Sequence, residues 1–350
     1  MLTGALPPPI TWVGGVDGHL ALLDQTRLPH ARDILVLRSL AGAVDAIRRL
    51  AVRGAPAIGV AAAYAVILGV RERAPQSPAA FAAALTEVAR ALIAARPTAI
   101  NLAWAVHAVT ARGREEPSLE ALLAAARALQ ADDAERCLAM GDAGRDLVED
   151  GCTVLTHCNA GRLATAGDGT ALAVLYAAQR AGRRFRVLAD ETRPLLQGAR
   201  LTALELAAAG IPVEVVVDGA AAGLIRAGQV QLILTGADRI AANGDVANKV
   251  GTYGLALAAH ASQVPMWVVA PTSTFDLSIA SGDDIPIEHR DPQEVLSFAG
   301  IATSVAGVGA RNPAFDITPH TLLRGLVTDR GRVSPVTQET IKAVVDQSRS

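Results

Sequence analysis

The chain has 350 residues, 51% of them hydrophobic and 3% aromatic, and a formal net charge of −2. That length suggests two domains with enough apolar content for a core in each, and with no basic run the electrostatic footprint of a nucleic-acid binder is missing. The expected partner is a small molecule.

The amino-terminal residues 1–9, Met-Leu-Thr-Gly-Ala-Leu-Pro-Pro-Pro, carry neither a charged n-region nor an apolar h-region, so no secretion signal is read there. Helical periodicity then dominates, over residues 40–52, 56–70, 78–95, 102–112 and the Ala-rich stretch 118–149. The apolar run 56–70 is the longest without interruption. It is too short to span a bilayer and reads as a buried helix, so no membrane partner is expected. From residue 150 the pattern changes. Short runs rich in Val, Ile and Leu, at 153–156, 185–189, 213–217, 232–235 and 266–270, alternate with helical segments at 170–181, 199–209, 221–227 and 252–262. Repeated strand–helix–strand units predict a parallel sheet covered on both faces. The expected fold class is therefore α/β, with a mainly helical domain over residues 1–149 and a Rossmann-like domain with a parallel sheet over 150–350.

The polar residues that follow the expected strands all fall at one edge of such a sheet, where open α/β sheets bind ligands. Cys158 follows the first strand, Asp190 and Glu191 the second, Asp218 the third, Asp238 the fourth, and Pro271-Thr272-Ser273 the fifth. Asp218 and Asp168 read as helix N-caps, each standing just before a glycine. Cys158 alone would read as a small buried hydrophobe. Its flanks, His157 and Asn159, and the matching place of Asp238 after another strand favour a site instead. Zinc at His157 and Cys158 is disfavoured, because adjacent residues of an extended chain point to opposite sides and no other cluster has ligand spacing.

Cys137, Cys152 and Cys158 form no CxxC pair, which fits a reducing, cytoplasmic setting better than a disulfide framework. Of the 32 basic residues only Lys249 and Lys342 are lysine; Lys249 closes the polar segment 243–249, and on its own its position reads as chance. In the helical half, Arg53-Gly54-Ala55-Pro56 opens an apolar helix. Free N–H groups, the helix dipole and a guanidinium would converge there on a phosphate. Arg96-Pro97-Thr98 offers a second anion contact, or simply a surface arginine.

Longer motifs carry a resemblance over almost the whole chain. They are Leu22-Leu23-Asp24-Gln25-Thr26-Arg27-Leu28-Pro29, residues 52–59, Arg96-Pro97-Thr98, residues 156–161, Glu191-Thr192-Arg193-Pro194, residues 236–245, Asn248-Lys249-Val250-Gly251-Thr252-Tyr253, Ile285-Pro286-Ile287-Glu288 and residues 312–319. With them the chain resembles the methylthioribose-1-phosphate isomerases, within the larger group that includes regulatory subunits of the translation-initiation exchange factor. The resemblance implies interconversion of an aldose 1-phosphate and a ketose 1-phosphate in methionine salvage, and a homodimer. It implies catalytic roles for Cys158 and Asp238. Substrate contacts are implied for Arg53, Gly54, Ala55, Arg96, Gln197, Asn248 and Lys249, which promotes Lys249 from chance to ligand. No metal or organic cofactor is required.

The chemistry accounts for these residue types. In an aldose 1-phosphate the anomeric oxygen is esterified, so the ring cannot open by loss of a hydroxyl proton. An acid must protonate the ring oxygen as its bond to C1 breaks, and Asp238 can do so near neutral pH only with a pKa raised by an apolar setting. Hydrogen then moves from C2 to C1, either by thiolate abstraction at Cys158 through an enediol or by a hydride shift that Cys158 assists. A helix N-terminus or a cation in the loop Asn159-Ala160-Gly161-Arg162 would favour the thiolate.

One loop departs from the family's commonest pattern. Gly161-Arg162-Leu163-Ala164-Thr165 stands where Gly-Ala-Leu-Ala-Thr is common, and Asp168 where an aromatic residue precedes Gly-Thr. The added charge bears on which 5-substituent is accepted. Alternatives are therefore an isomerase of 5-deoxyribose 1-phosphate or ribose 1,5-bisphosphate, or a non-catalytic sugar-phosphate-sensing regulatory subunit.

Overall fold

A computed structural model describes residues 6–97, 99–298 and 300–347, and the chain divides into two units. The first takes the residues up to Leu138 together with Gly161–Gly169; the second takes Ala139–Ala160 and everything from Thr170 onward. The division thus falls within a helix rather than at the change of periodicity near residue 150.

Three strands open the first unit: β1 (Ile10–Val13), β2 (His19–Leu23) and β3 (Ile34–Leu37), an antiparallel meander. The helical reading of this half missed them, because strands of four or five residues hold too few side chains for a period of two to stand out. Helices α1 (Leu40–Arg48), α2 (Ala55–Arg73), α3 (Pro78–Ile93), α4 (Ile100–Glu115) and α5 (Leu119–Gly144) follow. The Ser39 and Ser77 hydroxyls accept the N–H groups of Gly42 and Ala80, satisfying donors that the first turns of α1 and α3 leave free.

Helix α2 is the centre of this unit. Its residues from Ala57 to Val70 are buried without a break. By length and composition it could cross a membrane, yet 78% of its apolar 18-residue stretch is buried inside the protein. Small residues let neighbours come close: a Cβ on Gly59 would lie 2.8 Å from the Asn101 carbonyl oxygen on α4. Each buried Val, Leu or Ile here contributes about 1.5–3 kcal/mol relative to exposure.

The second unit is built from β4 (Thr153–Thr156), α6 (Ala171–Arg180), β5 (Arg186–Asp190), α7 (Ala203–Ala208), β6 (Val213–Val216), α8 (Ala221–Arg226) and β7 (Leu232–Thr235). After β7 come a hairpin of β8 (Arg239–Ala241) and β9 (Val246–Lys249), helix α9 (Thr252–Ala261) and β10 (Met266–Val269). Short β11 (Phe275–Asp276), α10 (Gln293–Leu296), β12 (Ser297–Phe298) and β13 (Ile301–Ala302) lead to β14 (Phe315–Thr318), β15 (Gly325–Thr328), β16 (Gly331–Val333) and α11 (Gln338–Asp346).

All five expected strands lie in one seven-stranded sheet of order β16-β15-β10-β7-β4-β5-β6. Every neighbour pair is parallel except β15 with β16. Chain order runs outward one way from β4 through β5 to β6 and the other way from β7 through β10 to β15, so the winding reverses between β4 and β7. That is where a crevice opens at the carboxyl ends of such strands. In register, Thr156 of β4 pairs with Leu234 of β7, so the two strands end side by side. The hairpin joins a second, four-stranded sheet of order β11-β8-β9-β14.

Candidate active site

Cys158 stands at the reversal point, two residues beyond β4, and it is buried. Its backbone is left-handed, with φ +61°, and so is that of Thr192 beyond β5, with φ +64°. Non-glycine residues held this way cost about 1–3 kcal/mol each and persist only where the surroundings fix them. Here they do. The Cys158 N–H donates to Thr192 Oγ1 at 2.8 Å, and that hydroxyl donates to the Asp190 carbonyl at 3.0 Å. Thr202 Oγ1 donates to the Cys158 carbonyl at 2.6 Å and accepts from Asn159 Nδ2 at 3.2 Å. Asp218 accepts the N–H groups of Thr192 and Arg193 at 2.8 and 2.7 Å. At about 0.5–1.5 kcal/mol net for each such bond, the set is large enough to offset the strain.

The role of Asp218 is a correction. It does not cap the turn that follows it; its carboxylate reaches back to the loop after β5, a contact between residues 25 and 26 apart that local patterning cannot reveal. Thr192, Thr202 and Glu205, which accepts from Asn159 Nδ2 at 2.7 Å, were likewise not expected as site residues. Thr192 lies in the motif Glu191-Thr192-Arg193-Pro194; nothing in the sequence marks Thr202.

His157, also buried, places Nδ1 3.0 Å from Asp190 Oδ2 and Nε2 2.9 Å from the Val250 carbonyl oxygen. Burial pushes the Asp190 carboxyl up, while its bond and charge contact with His157 pull it down; the net direction is up. Among the described residues His157, Asp190 and Asp218 bring ligand-type atoms within 4.8 Å of one another. Both Asp218 oxygens already accept backbone N–H groups, and both His157 ring nitrogens are engaged, Nδ1 with Asp190 and Nε2 with a carbonyl, so His157 could ligate a cation only by giving up one of its two bonds.

Asp238 lies just past β7, where its N–H donates to the Ala247 carbonyl at 2.9 Å. The ladder pairs Arg239 with Ala247, which puts Asp238 opposite Asn248 at the end of the hairpin. The strand Leu232–Thr235 is wholly buried, as expected, but Asp238 itself is half-buried. Gly236 brings the loop after β7 against the loop after β4, since a Cβ there would lie 3.1 Å from Ala160 Cβ. Asn248 is buried and donates to Thr252 Oγ1 at 2.9 Å; Lys249 Nζ donates to the Ala314 carbonyl at 2.8 Å and lies 4.8 Å from the centre of the Phe315 ring. Gln197 is buried, and its Oε1 has no hydrogen-bond partner among the described residues. Gly198 beside it admits no side chain, because a Cβ would fall 1.7 Å from the Asp190 carbonyl oxygen.

In the first unit, Arg53, Gly54 and Ala55 do sit at the amino-terminal end of α2, and all three are half-buried. Gly54 has φ +93°, and a Cβ on it would lie 2.5 Å from Ala164 Cα. The segment 161–169 therefore presses on this turn, and Gln25 Nε2 ties it down by donating to the Leu163 carbonyl at 2.7 Å. Arg162, the cation of the loop after β4, pairs with Asp168 through Nε and Nη2, both at 3.0 Å. The two departures from the family pattern thus compensate each other's charge. Arg96 is half-buried just before α4, and Thr98 of its motif lies outside the described residues, as do residues 1–5 of the amino-terminal stretch.

Comparison with known proteins bears on this arrangement. The Initiation factor 2 subunit family is matched over residues 51–335, and the chain belongs to it. A methylthioribose-1-phosphate isomerase of Pelotomaculum thermopropionicum is 48% identical over 96% of this chain and 93% of its own length. A 5-deoxyribose 1-phosphate isomerase of Moorella thermoacetica is 46% identical over 97% and 98%. Among solved structures, 5-methylthioribose 1-phosphate isomerase of Pyrococcus horikoshii superposes with a TM-score of 0.89 at 37% identity, covering 97% of this chain and 96% of that one. The translation initiation factor eIF-2B subunit delta of A. fulgidus gives 0.86 at 38% identity, covering 97% and 99%.

Proposed function

We propose that the protein is an aldose–ketose isomerase that converts 5-methylthioribose 1-phosphate to 5-methylthioribulose 1-phosphate in methionine salvage. The observation that carries the reading is the pair of strand ends at the reversal of a mostly parallel sheet, with the Cys158 turn after β4 held in a strained conformation by a dedicated bond network and Asp238 after its neighbour β7. A regulatory subunit that only binds a sugar phosphate has no need of a strained thiol turn.

In this reading Asp238 protonates the ring oxygen as the C1–O bond breaks, and Cys158 assists transfer of hydrogen from C2 to C1 while the 2-hydroxyl loses its proton and becomes the ketone. Because Asp238 is half-buried in the free protein, the bound sugar supplies the remaining desolvation that an acid near neutral pH requires. Asn248, Lys249 and Gln197 contact the sugar phosphate, the unpartnered Oε1 of Gln197 suiting a hydroxyl donor. Arg53, Gly54, Ala55 and Arg96 contact its phosphate, for which α2 provides free N–H groups without a side-chain cap. A 5-deoxy sugar is the second reading, after the Moorella relative. The enzyme works in the cytoplasm as a homodimer without a cofactor.

Substitution tests the assignments. Cys158→Ser and Asp238→Asn are each expected to lower kcat by about a hundredfold or more with substrate still bound. Near-normal turnover in either variant removes that residue from the mechanism.

A further inference from the structure

His157 is buried beside Cys158, and no catalytic step above uses it. Its two ring nitrogens are both committed, and their partners differ in kind. The Val250 carbonyl can only accept, so Nε2 carries a proton. Nδ1 faces Asp190 Oδ2 at 3.0 Å, a distance at which two lone pairs would repel, so a further proton lies between them. Asp190 Oδ1 is buried with no partner among the described residues, which leaves the carboxyl committed to the imidazole. The ring is also held at its Cε1 corner. Gly251 has φ +109°, and a Cβ on it would lie 2.8 Å from His157 Cε1, so the backbone of that turn packs against the imidazole. The same turn is anchored beyond by Asp316, which accepts the N–H groups of Gly251 and Tyr253 at 2.7 and 3.1 Å.

We propose that His157 is a positioning residue of the reaction: through Asp190 and the Val250 carbonyl it locks the Cys158 turn and the Asn248–Lys249 strand end into one register. The inference rests on the isomerase reading above. One ring spans three loops, those after β4, at the end of β5 and between β9 and α9, and two of them carry a proposed catalytic or substrate-binding residue within two positions of the bond. An error of about 1 Å in such a register costs on the order of a hundredfold in rate. No neighbouring apolar side chain could replace it, since only an imidazole reaches both acceptors from one rigid plane.

Two amide variants separate the two bonds. Asparagine places its polar atoms near Nδ1, keeping Asp190 and abandoning Val250; glutamine reaches toward the Nε2 position, keeping Val250 and abandoning Asp190. With 5-methylthioribose 1-phosphate as substrate, His157→Asn is expected to raise KM by about tenfold while kcat stays within about threefold, because the Asn248–Lys249 segment is released. His157→Gln is expected to lower kcat by about tenfold with KM held within about threefold. The second readout needs no substrate: iodoacetamide labelling of the folded protein, read peptide by peptide. In His157→Gln, labelling should rise by about fivefold at Cys158 alone, with buried Cys137 and Cys152 as internal controls.

Wild-type kcat and KM in both variants, or a rise in labelling at all three cysteines together, would overturn the proposal, the latter showing general loosening instead. If the wild-type protein converts no sugar 1-phosphate, the isomerase reading fails, and selective labelling at Cys158 still decides whether His157 holds that turn.

Discussion

Asp133, on α5, is the clearest lever on stability. Its carboxyl accepts the Ala166 N–H at 2.6 Å, so it pins the segment 161–169 that presses on Gly54. Burial raises its pKa from 3.8 to about 6, against the opposing pull of the Ala166 bond and the Arg136 charge. That is a rise of about two pH units at about 1.4 kcal/mol each, so the folded state favours the protonated carboxyl by about 3 kcal/mol, an upper bound because the residue keeps some solvent contact. The sign follows from the folded pKa lying above the unfolded one. The stabilisation is fully present below pH 4 and is lost as pH rises through 6. Asp133→Asn keeps an acceptor for Ala166 and removes the titration. Denaturant unfolding followed by circular dichroism between pH 4 and 8 should show the wild type losing up to about 3 kcal/mol more than the variant over that range. Parallel curves would refute the argument.

Thr202→Val deletes the hydroxyl that holds the Cys158 carbonyl and receives Asn159, leaving buried groups unsatisfied at a cost of about 1–3 kcal/mol; kcat should fall and Thr202→Ser should restore it, as steady-state kinetics will show. Gly54→Ala must place a methyl against Ala164 at φ +93°, so we expect a lower melting temperature and a KM raised by about tenfold; wild-type values would mean the turn yields freely. In D2O, an enediol route carries solvent deuterium to C1 of the ketose and a hydride shift does not, which NMR of the product separates.

The parts of the fold that announce themselves are those whose periodicity is long or whose side chains are uniformly buried. The strands Thr153–Thr156 and Leu232–Thr235 fall at the positions their apolar runs indicate, because strands buried on both faces read as continuous hydrophobic stretches. Strands β1 to β3 and the β8–β9 hairpin do not announce themselves, since three to five residues in an antiparallel ribbon leave almost no pattern. Helix α7 starts four residues later than its pattern, at Ala203, behind the π-helical turn Gly198–Thr202 that brings Thr202 to Cys158. Cys158 and Asp238 could be picked out because both follow strands of one sheet. Their supports could not: Asp218 to Thr192, Thr202 to Cys158 and His157 to Val250 are contacts across 26, 44 and 93 residues of chain.

Turnover itself tests the central claim most directly. Purified protein incubated separately with 5-methylthioribose 1-phosphate, 5-deoxyribose 1-phosphate and ribose 1,5-bisphosphate, and followed by NMR for the ketose, should convert the methylthio sugar fastest and the bisphosphate least. Tight binding of any of the three with no ketose formed would contradict the account and leave a sugar-phosphate sensor in its place.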